Sequence, residues 1–238
     1  MYVPYYVCPV IRRALIKEKC KPIFFHIDDN FMPVCEFNEN AFILYPNYFG
    51  VCDKNVGLLV QKYKHLIVDN AHSFYNEPIG FSCFNSARKF LNVYNGSYLW
   101  INDIGENYAQ ETEYRFAPKN EEEMYKNEME FEDAEIELLN DFTANEILKF
   151  DIQNERRKNF LKLHEKYANK NLLNIDTNSI SPFCYPCLLE DEAQADKLAK
   201  ELEKEGLKIY RYWEELPKNF NEYKFFRNLV PIPLSKNM

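Results

Sequence analysis

The sequence lacks the features that would place it in a membrane or on a nucleic acid. No apolar run approaches the roughly 20 residues that a membrane-spanning helix needs. Residues 1–6 lack the basic and apolar regions of a secretory signal peptide. Lys and Arg number 29 against 37 Asp and Glu, and the net charge of −8 argues against a protein that binds a phosphate backbone, which needs a basic face. We therefore expect neither a membrane nor a nucleic acid among its partners.

Disulfide frameworks and metal-ligand patterns are missing as well. The seven cysteines are an odd number and follow no framework spacing, which indicates a reducing, cytoplasmic setting. Cys184 and Cys187 form a CxxC pair, but a zinc site needs a second pair of ligands at similar spacing and none follows. The pair also lies in a predicted strand, whereas a thioredoxin-like motif opens a helix after a strand. We expect no metal site and no redox role.

What the chain does contain is typical of a folded α/β protein. Hydrophobic residues make up 46% and aromatic residues 16% of its 238 positions, which is a globular composition. That length suffices for a large core and a small second domain. Apolar patterns predict strands with helices between them: strands at 2–8, 22–27, 41–45 and 66–68, and helices at 9–15 and 56–63. This alternation predicts βαβ units and a mostly parallel sheet.

The C-terminal part shows a different pattern, from which we place a domain boundary. Residues 1–140 are predicted to form a large domain, and residues 141–238 an interdomain helix and a small α+β domain. The predicted elements after the boundary are helices at 145–167 and 192–204, a cap at Gly206, and strands at 183–189, 207–213 and 230–234. Two groups of charged residues lie in the second half of the chain. We interpret the acidic run 121–137 as a solvated helix face, and Arg156 with Arg157 as a salt-bridged surface pair.

Residues 66–100 concentrate side chains that can do chemistry. The apolar run 66–68 ends on Asp69, and ligands of parallel sheets bind beyond the carboxyl ends of strands. Ser86 stands three residues before Lys89. A pyridoxal phosphate site requires such an acid, hydroxyl and amine. The amine condenses with the aldehyde, the hydroxyl binds the phosphate, and the acid keeps the pyridine nitrogen protonated.

Each of these residues also has an ordinary interpretation. An Asp at the end of a strand is commonly a helix N-cap or a turn residue. A single Lys is usually a solvated surface charge, and His72 would more often be a structural histidine than a catalytic one. The spacing by itself leaves both interpretations open.

A longer pattern in the same stretch resembles a known family. Residues 69–74 read Asp-Asn-Ala-His-Ser-Phe, and residues 86–99 read Ser-Ala-Arg-Lys-Phe-Leu-Asn-Val-Tyr-Asn-Gly-Ser-Tyr-Leu. They resemble a subgroup of the DegT/DnrJ/StrS family of PLP-dependent sugar aminotransferases. The resemblance implies fold-type I: a three-layer α/β large domain with a mixed, mostly parallel sheet, followed by a small C-terminal α+β domain. The family's front segment, which grips the cofactor phosphate, has no counterpart in the sequence, so we expect the large domain to be incomplete at its N-terminus.

The resemblance implies a role for each residue of the motif. Lys89 would be the catalytic lysine that binds the cofactor aldehyde, and Asp69 would pair with the pyridinium nitrogen. His72 would lie against the 3′ oxygen of pyridoxal 5′-phosphate, and Ser86 would bind its phosphate.

The resemblance also implies a residue at the cofactor rim and a residue that stacks on the cofactor ring. Asn47 would lie at the rim of the cofactor. The residue that stacks on the cofactor ring is left open, with Tyr6 and Cys8 in the loop where the family carries it.

The resemblance also implies an activity and its partners. An amino acid would donate an amino group to a keto-sugar, nucleotide-linked, in surface polysaccharide biosynthesis, and the enzyme would be a cytoplasmic homodimer. The alternative is a shortened, catalytically silent relative that acts as a binding or partner module. The complete motif at Asp69, His72, Ser86 and Lys89 favours the enzyme, whereas the missing front segment favours the alternative.

Overall fold

A six-stranded sheet frames the first half of the molecule. The computed structural model describes residues 1–91, 93–101, 141–148 and 152–234. The elements up to residue 101 are β1 (Tyr2–Pro4), α1 (Pro9–Lys17), β2 (Ile23–Phe25), β3 (Ile43–Pro46), α2 (Asp53–Lys62), β4 (Leu66–Asn70), β5 (Ser82–Asn85) and β6 (Leu99–Ile101). The strand order is β2-β1-β3-β4-β5-β6, and only the β5–β6 pair is antiparallel. The predicted mixed, mostly parallel sheet is confirmed.

Helices cover both faces of this sheet, which gives three layers. Successive strand residues point to opposite faces, so Leu44 and Tyr45 of β3 enter different clusters. Leu44 packs on the face that carries Ile11 of α1. Tyr45 and Val68 belong to the main core on the other face, together with Leu59 of α2. The sequence favours both helices at their ends, since Pro9 opens α1 and Asp53 lies in the first turn of α2.

The second part of the chain adds helices and a two-stranded sheet. Its elements are α3 (Asp141–Leu148), α4 (Gln153–Tyr167), β7 (Cys184–Leu188), α5 (Glu192–Lys204), α6 (Tyr223–Arg227) and β8 (Leu229–Pro233). β7 and β8 pair antiparallel, from Cys184 opposite Pro233 to Leu188 opposite Leu229. The main core is continuous with the first part, because Phe160 of α4 and Leu198 of α5 join it. The domain boundary at residue 140 stays a prediction.

Several predicted boundaries agree closely with the structure. The helix predicted at 192–204 is α5, whose N-cap Asp191 accepts a hydrogen bond from the Gln194 N–H at 2.8 Å. Gly206 follows the helix with a φ of +89°, the left-handed conformation that favours glycine. Cys184 and Cys187 lie in β7 with both thiols buried, and burial raises the pKa of the Cys187 thiol to about 11. Residues three apart on a strand face opposite ways, so the two thiols do not converge.

Two predicted elements are wrong, and one lies outside the described residues. Ile152 has non-helical dihedrals (φ −108°, ψ 7°) and precedes α4, so 145–167 is not one continuous helix. Residues 207–213 belong to no strand and carry no ladder pairing, and Trp213 has a left-handed φ of +64°. Alternation of side chains reports an extended chain and not whether its backbone has a partner. The acidic run 121–137 falls outside the described residues.

The described ranges contain neither a membrane-spanning helix nor a cluster of metal ligands. No helix among them is long and apolar enough to cross a membrane. Within the same ranges, no group of three or more His, Cys, Asp or Glu side chains is arranged to hold a metal ion.

Candidate functional site

Asp69 lies near the end of β4, in the middle of the sheet. Its neighbours in the register are Pro46 of β3 and Phe84 of β5, both parallel to β4. The side chain is buried at 8% exposure, and its Oδ1 accepts a hydrogen bond from the Ala71 N–H at 2.8 Å. The carboxylate therefore stands at the carboxyl edge of the strands, where parallel sheets bind their ligands.

Lys89 is held by the connection between the two antiparallel strands. After β5 the chain forms a single 3-10 turn, Ala87–Lys89, and the Ala87 N–H donates to the Gly96 carbonyl at 2.9 Å. Ala87 is fully buried and Phe90 nearly so, which anchors the turn from both sides. The Lys89 side chain is half-buried, and its Nζ lies 6.0 Å from the ring centroid of Phe183. The amine thus faces an aromatic ring from the second part of the chain.

Lys89 and His72 meet at the Phe183 ring, and the Lys89 ammonium acts electrostatically on both Asp69 and His72. Burial raises the pKa of the Asp69 carboxyl above its ordinary value, although the Lys89 ammonium and the Ala71 N–H act to lower it. Burial, assisted by the Lys89 ammonium, holds the pKa of the His72 imidazole well below its ordinary value. His72 is therefore neutral at pH 7, and one amine acts on both other groups. The structure brings these three predicted residues together.

His72 is enclosed by aromatic rings on its faces. Its imidazole stacks on Phe183 with centroids 4.6 Å apart and an interplanar angle of 10°. Trp213 is nearly parallel to it as well, at 5.7 Å and 4°. Phe49 completes the enclosure at 5.9 Å. Tyr212 packs against the same imidazole at 5.7 Å and 60°, so His72 is surrounded by rings of several orientations.

Asn47 is a scaffold residue next to Asp69. Its backbone N–H donates to the Asp69 carbonyl at 2.9 Å. Its side-chain Nδ2 donates to Asp53 Oδ1 at 2.7 Å, and its Oδ1 accepts from the Cys52 N–H at 3.0 Å. The side chain is buried and bonded to the protein itself, so it fixes the loop beside Asp69. A place at the cofactor rim stays a prediction.

Ser86 immediately precedes the turn that carries Lys89. Its backbone is extended (φ −146°, ψ 108°), and its side chain makes no capping hydrogen bond to the turn. The residue is half-buried. The structure thus places the hydroxyl at the base of the Lys89 turn without a capping role, and phosphate binding by Ser86 stays a prediction.

The two candidates for ring stacking have different surroundings. Tyr6 is fully buried and packs against Tyr48, Trp213 and Phe225, with centroids 5.7, 4.6 and 5.4 Å away. Burial is the main reason that the pKa of its phenol lies well above the ordinary value. Tyr6 is therefore a core residue. Cys8 is the N-cap of α1 and is only partly buried.

Among the described residues, Arg156 and Arg157 bind main-chain carbonyls and form no salt bridge, contrary to the prediction. Arg156 donates through Nη2 to the carbonyl oxygens of Pro182, at 3.2 Å, and Phe183. Arg157 donates through Nη1 to the Ser179 carbonyl at 2.7 Å. Both arginines hold main-chain oxygens of the segment that precedes β7. Sequence reasoning missed this role because the segment lies more than twenty positions away and carries no charge that would mark it.

Comparisons with known proteins bear on the fold. No protein-family model matches the chain, and no curated protein matches it. Solved structures do match. A putative sugar aminotransferase, Spr1654 from Streptococcus pneumoniae, superposes in its PLP form with a TM-score of 0.65 at 16% identity, covering 100% of this chain and 76% of that one.

Two further structures match over nearly the whole chain. A DegT DnrJ EryC1 StrS aminotransferase from Brucella abortus gives a TM-score of 0.62 at 13% identity, over 98% of this chain and 73% of that one. A mutant of GDP-4-keto-6-deoxymannose-3-dehydratase (ColD) with bound GDP-perosamine gives 0.60 at 13% identity, over 98% and 75%.

These matches define the class of fold. The chain has the α/β fold of the fold-type I PLP-dependent aminotransferases. Within that class, the structures it resembles are sugar aminotransferases of the DegT/DnrJ/EryC1/StrS type. The resemblance carried by the motif around Lys89 is thus confirmed at the level of the fold.

Proposed function

We propose that this protein is a PLP-dependent aminotransferase that acts on a keto-sugar. The proposal depends on one observation above all: a buried carboxylate, Asp69, and an amine, Lys89, share one site at the carboxyl edge of the sheet. Neighbouring structures in PLP and PMP forms support pyridoxal 5′-phosphate as the cofactor.

The residues of the site fit this cofactor. Asp69 is buried, and its pKa is raised even though Lys89 lies close enough to lower it, so the carboxylate lacks a full counter-charge. A protonated pyridine nitrogen would provide that counter-charge and keep Asp69 ionised. When bound, the cofactor supplies an electron sink for negative charge that develops on the substrate carbon.

Lys89 would hold the cofactor and move protons. Its amine must be neutral to attack an aldehyde, and the side chain is half-buried, with Nζ 6.0 Å from the ring centroid of Phe183. The Lys89 amine would also take a proton at one substrate carbon and return it at another. Asp69 would stay ionised beside the protonated ring nitrogen.

His72 and Ser86 would orient the cofactor. His72 is neutral and stacked, so its ring edge can hydrogen-bond to the 3′ oxygen without adding a charge. Ser86 would bind the phosphate with its hydroxyl. Asn47 would act one step away by fixing the main chain of Asp69.

The substrates and the assembly follow from the similar proteins. We infer an amino acid as the donor and a nucleotide-linked keto-sugar as the acceptor, because the matched structures are sugar aminotransferases and one is a dehydratase bound to GDP-perosamine. We place the reaction in surface polysaccharide biosynthesis, in the cytoplasm, with a homodimer as the working unit. A fold alone does not fix a reaction, and the dehydratase among the matches illustrates this.

The proposal predicts a coloured protein whose colour depends on Lys89. Purified with added PLP, the wild type should show the visible absorbance band of lysine-bound PLP, and glutamate should convert it to the PMP spectrum. Lys89→Ala should abolish the band because the covalent bond to the protein is lost. Lys64→Ala, an exposed lysine, serves as the control and should leave it unchanged.

The same spectra separate the two candidate functions. The enzyme proposal is contradicted if the wild type lacks the band or if the band survives Lys89→Ala. A band that forms through Lys89 but that no amino acid discharges supports the catalytically silent relative.

A further inference from the structure

The first turns of α4 hold the segment 179–183 through its main chain. Arg157 binds the Ser179 carbonyl at 2.7 Å, and Gln153 Nε2 donates to the Ile180 carbonyl at 3.3 Å. Arg156 binds the carbonyls of Pro182 and Phe183. The segment therefore receives most of its side-chain donors from one helix.

The same segment is fixed on its other side by the loops that carry the site. The Phe183 N–H donates to the Phe49 carbonyl at 2.8 Å. The Ile180 N–H donates to Asp53 Oδ2 at 2.9 Å, and Ser181 Oγ accepts from the Tyr75 N–H at 3.1 Å. Segment 179–183 is thus the connection between α4 and the loop that carries His72.

Phe183 links segment 179–183 to the site residues His72 and Lys89. Its ring stacks on His72 and also lies beneath the Lys89 ammonium. Phe90, the residue after Lys89, packs edge-on against Phe183 at 5.8 Å. The guanidinium carbon of Arg156 lies 4.7 Å from the Phe90 ring centroid. Arg156 therefore contacts both aromatic residues that flank Lys89.

We propose that Arg156 is a positioning residue: it fixes Phe183 by its main chain and Phe90 by its ring, and so holds Lys89 and His72 in their places. This inference rests on the proposed function, in which Lys89 carries the cofactor. Two features suit an arginine here. Its Nη2 donates to both carbonyls while the planar guanidinium lies over the Phe90 ring. A lysine ammonium could donate to the carbonyls but has no planar group to lie on the ring.

The structure also shows a cost that a purely peripheral residue would not bear. Burial lowers the pKa of the Arg156 guanidinium, and its Nε is a buried donor for which the described residues provide no acceptor. The Arg156 charge therefore loses hydration in this position, which lies beside the ring of Phe90, the residue after Lys89.

The test uses Arg156→Met and Arg156→Lys, with Arg157→Met as a matched control on the same helix. Arg157 also donates to a carbonyl of segment 179–183, but at Ser179. The first readout needs no cofactor and is an NMR pH titration of His72 in the apoprotein. The chain has four histidines, and the His72 signal is assigned as the one that disappears in His72→Gln. Releasing Phe183 lets water reach the imidazole, so both Arg156 variants should move the His72 pKa toward its ordinary value, and Arg157→Met should not.

The second readout is the rate at which glutamate discharges the PLP-loaded protein. Displacing a catalytic amine by about 1 Å can cost roughly 100-fold, and we expect a fall of roughly 10-fold to 100-fold for Arg156→Met and Arg156→Lys. A Lys variant that equals the wild type in both readouts overturns the inference, as does a folded Arg156→Met with an unshifted His72 titration.

The two proposals fail separately. If the wild type forms no lysine-bound PLP while Arg156→Met still shifts the His72 titration, the cofactor proposal is wrong and the positioning role stands. If PLP binds Lys89 and neither readout changes in the Arg156 variants, only the positioning role is wrong. Should Arg156→Met not fold, Arg156→Lys decides the matter. Phe183→Leu removes the ring that covers His72 and gives the size of the titration shift to compare with it.

Discussion

At the scale of single residues, the chain turns at Phe49 and Gly50 in a way that few side chains permit. Both residues have left-handed dihedrals, with φ of +55° and +70°. A Cβ added at Gly50 would lie 2.1 Å from the His72 carbonyl oxygen and 2.6 Å from that of Ser181. The absent side chain therefore allows the His72 loop and segment 179–183 to approach the same backbone atom.

Gly50→Ala should destabilise the protein strongly. Left-handed strain costs about 1–3 kcal/mol and forced overpacking a similar amount, so the free energy of unfolding should fall by roughly 2–5 kcal/mol. Urea denaturation measures it. Gly57→Ala is the control, because Gly57 lies within α2 with nothing near its missing Cβ. That change should raise stability by about 0.5–1 kcal/mol. Equal midpoints for the two variants would contradict the steric argument.

At the scale of elements, the start of α2 ties three loops together. Asp53 Oδ1 accepts from Asn47 Nδ2 and from Asn76 Nδ2, each at 2.7 Å. Its Oδ2 accepts from the Ile180 N–H at 2.9 Å. The carboxylate thus joins the loop after β3, the loop after β4 and the segment before β7. It also lies in the first turn of α2, where a negative charge favours the helix dipole.

Asp53→Ala should loosen these loops together. Hydrogen bonds to a charged group contribute about 1.5–3 kcal/mol each, but they are not independent, so we expect a loss of roughly 2–4 kcal/mol in unfolding free energy. PLP should also dissociate faster. Asp191→Ala, which removes only the N-cap of α5, should cost about 1 kcal/mol and leave PLP retention unchanged. If PLP dissociated at the same rate from Asp53→Ala and Asp191→Ala, the loops joined by Asp53 would not support the site.

The sequence predicted elements well where local signals decide them and poorly where distant partners do. Strand β4 and its penultimate residue Asp69 follow from an apolar run that ends on a charge, and α5 follows from its N-cap, its periodicity and Gly206. Residues 207–213 have the side-chain pattern of a strand, but pairing depends on a neighbour that no local signal reveals. In the structure, Trp213 turns it toward His72 instead of into a sheet.

At the scale of the whole molecule, the site depends on contacts that cross the length of the chain. The motif predicted Asp69, His72 and Lys89, all within twenty positions of one another. It could not predict that Phe183 and Trp213 cover the His72 ring, because aromatic residues are abundant and carry no mark of their target. One continuous core includes both parts, with Tyr45 and Tyr185 in the same cluster.

The stability of the molecule should depend on pH through His72. Its folded-state pKa is depressed below the ordinary value of 6.5, so below about pH 6.5 the unfolded chain binds a proton that the folded protein does not. Unfolding free energy should therefore fall as pH drops from 6.5 toward the folded-state pKa. His72→Gln should flatten this part of the profile in urea titrations at about pH 7.5, 6.5 and 5.5. An identical slope for both proteins would mean that other groups govern it.

The cover that Phe183 and Trp213 place on His72 has a consequence for biosynthesis. Ribosomes add residues in order, so a nascent chain exposes Asp69, His72 and Lys89 long before residues 183 and 213 leave the exit tunnel. During that interval the imidazole and the amine face water, and the neighbouring β7 has no partner until β8 is translated. In the proposed enzyme, loading of the coenzyme is therefore expected to be a post-translational event, completed only once the late-synthesised aromatic residues have docked.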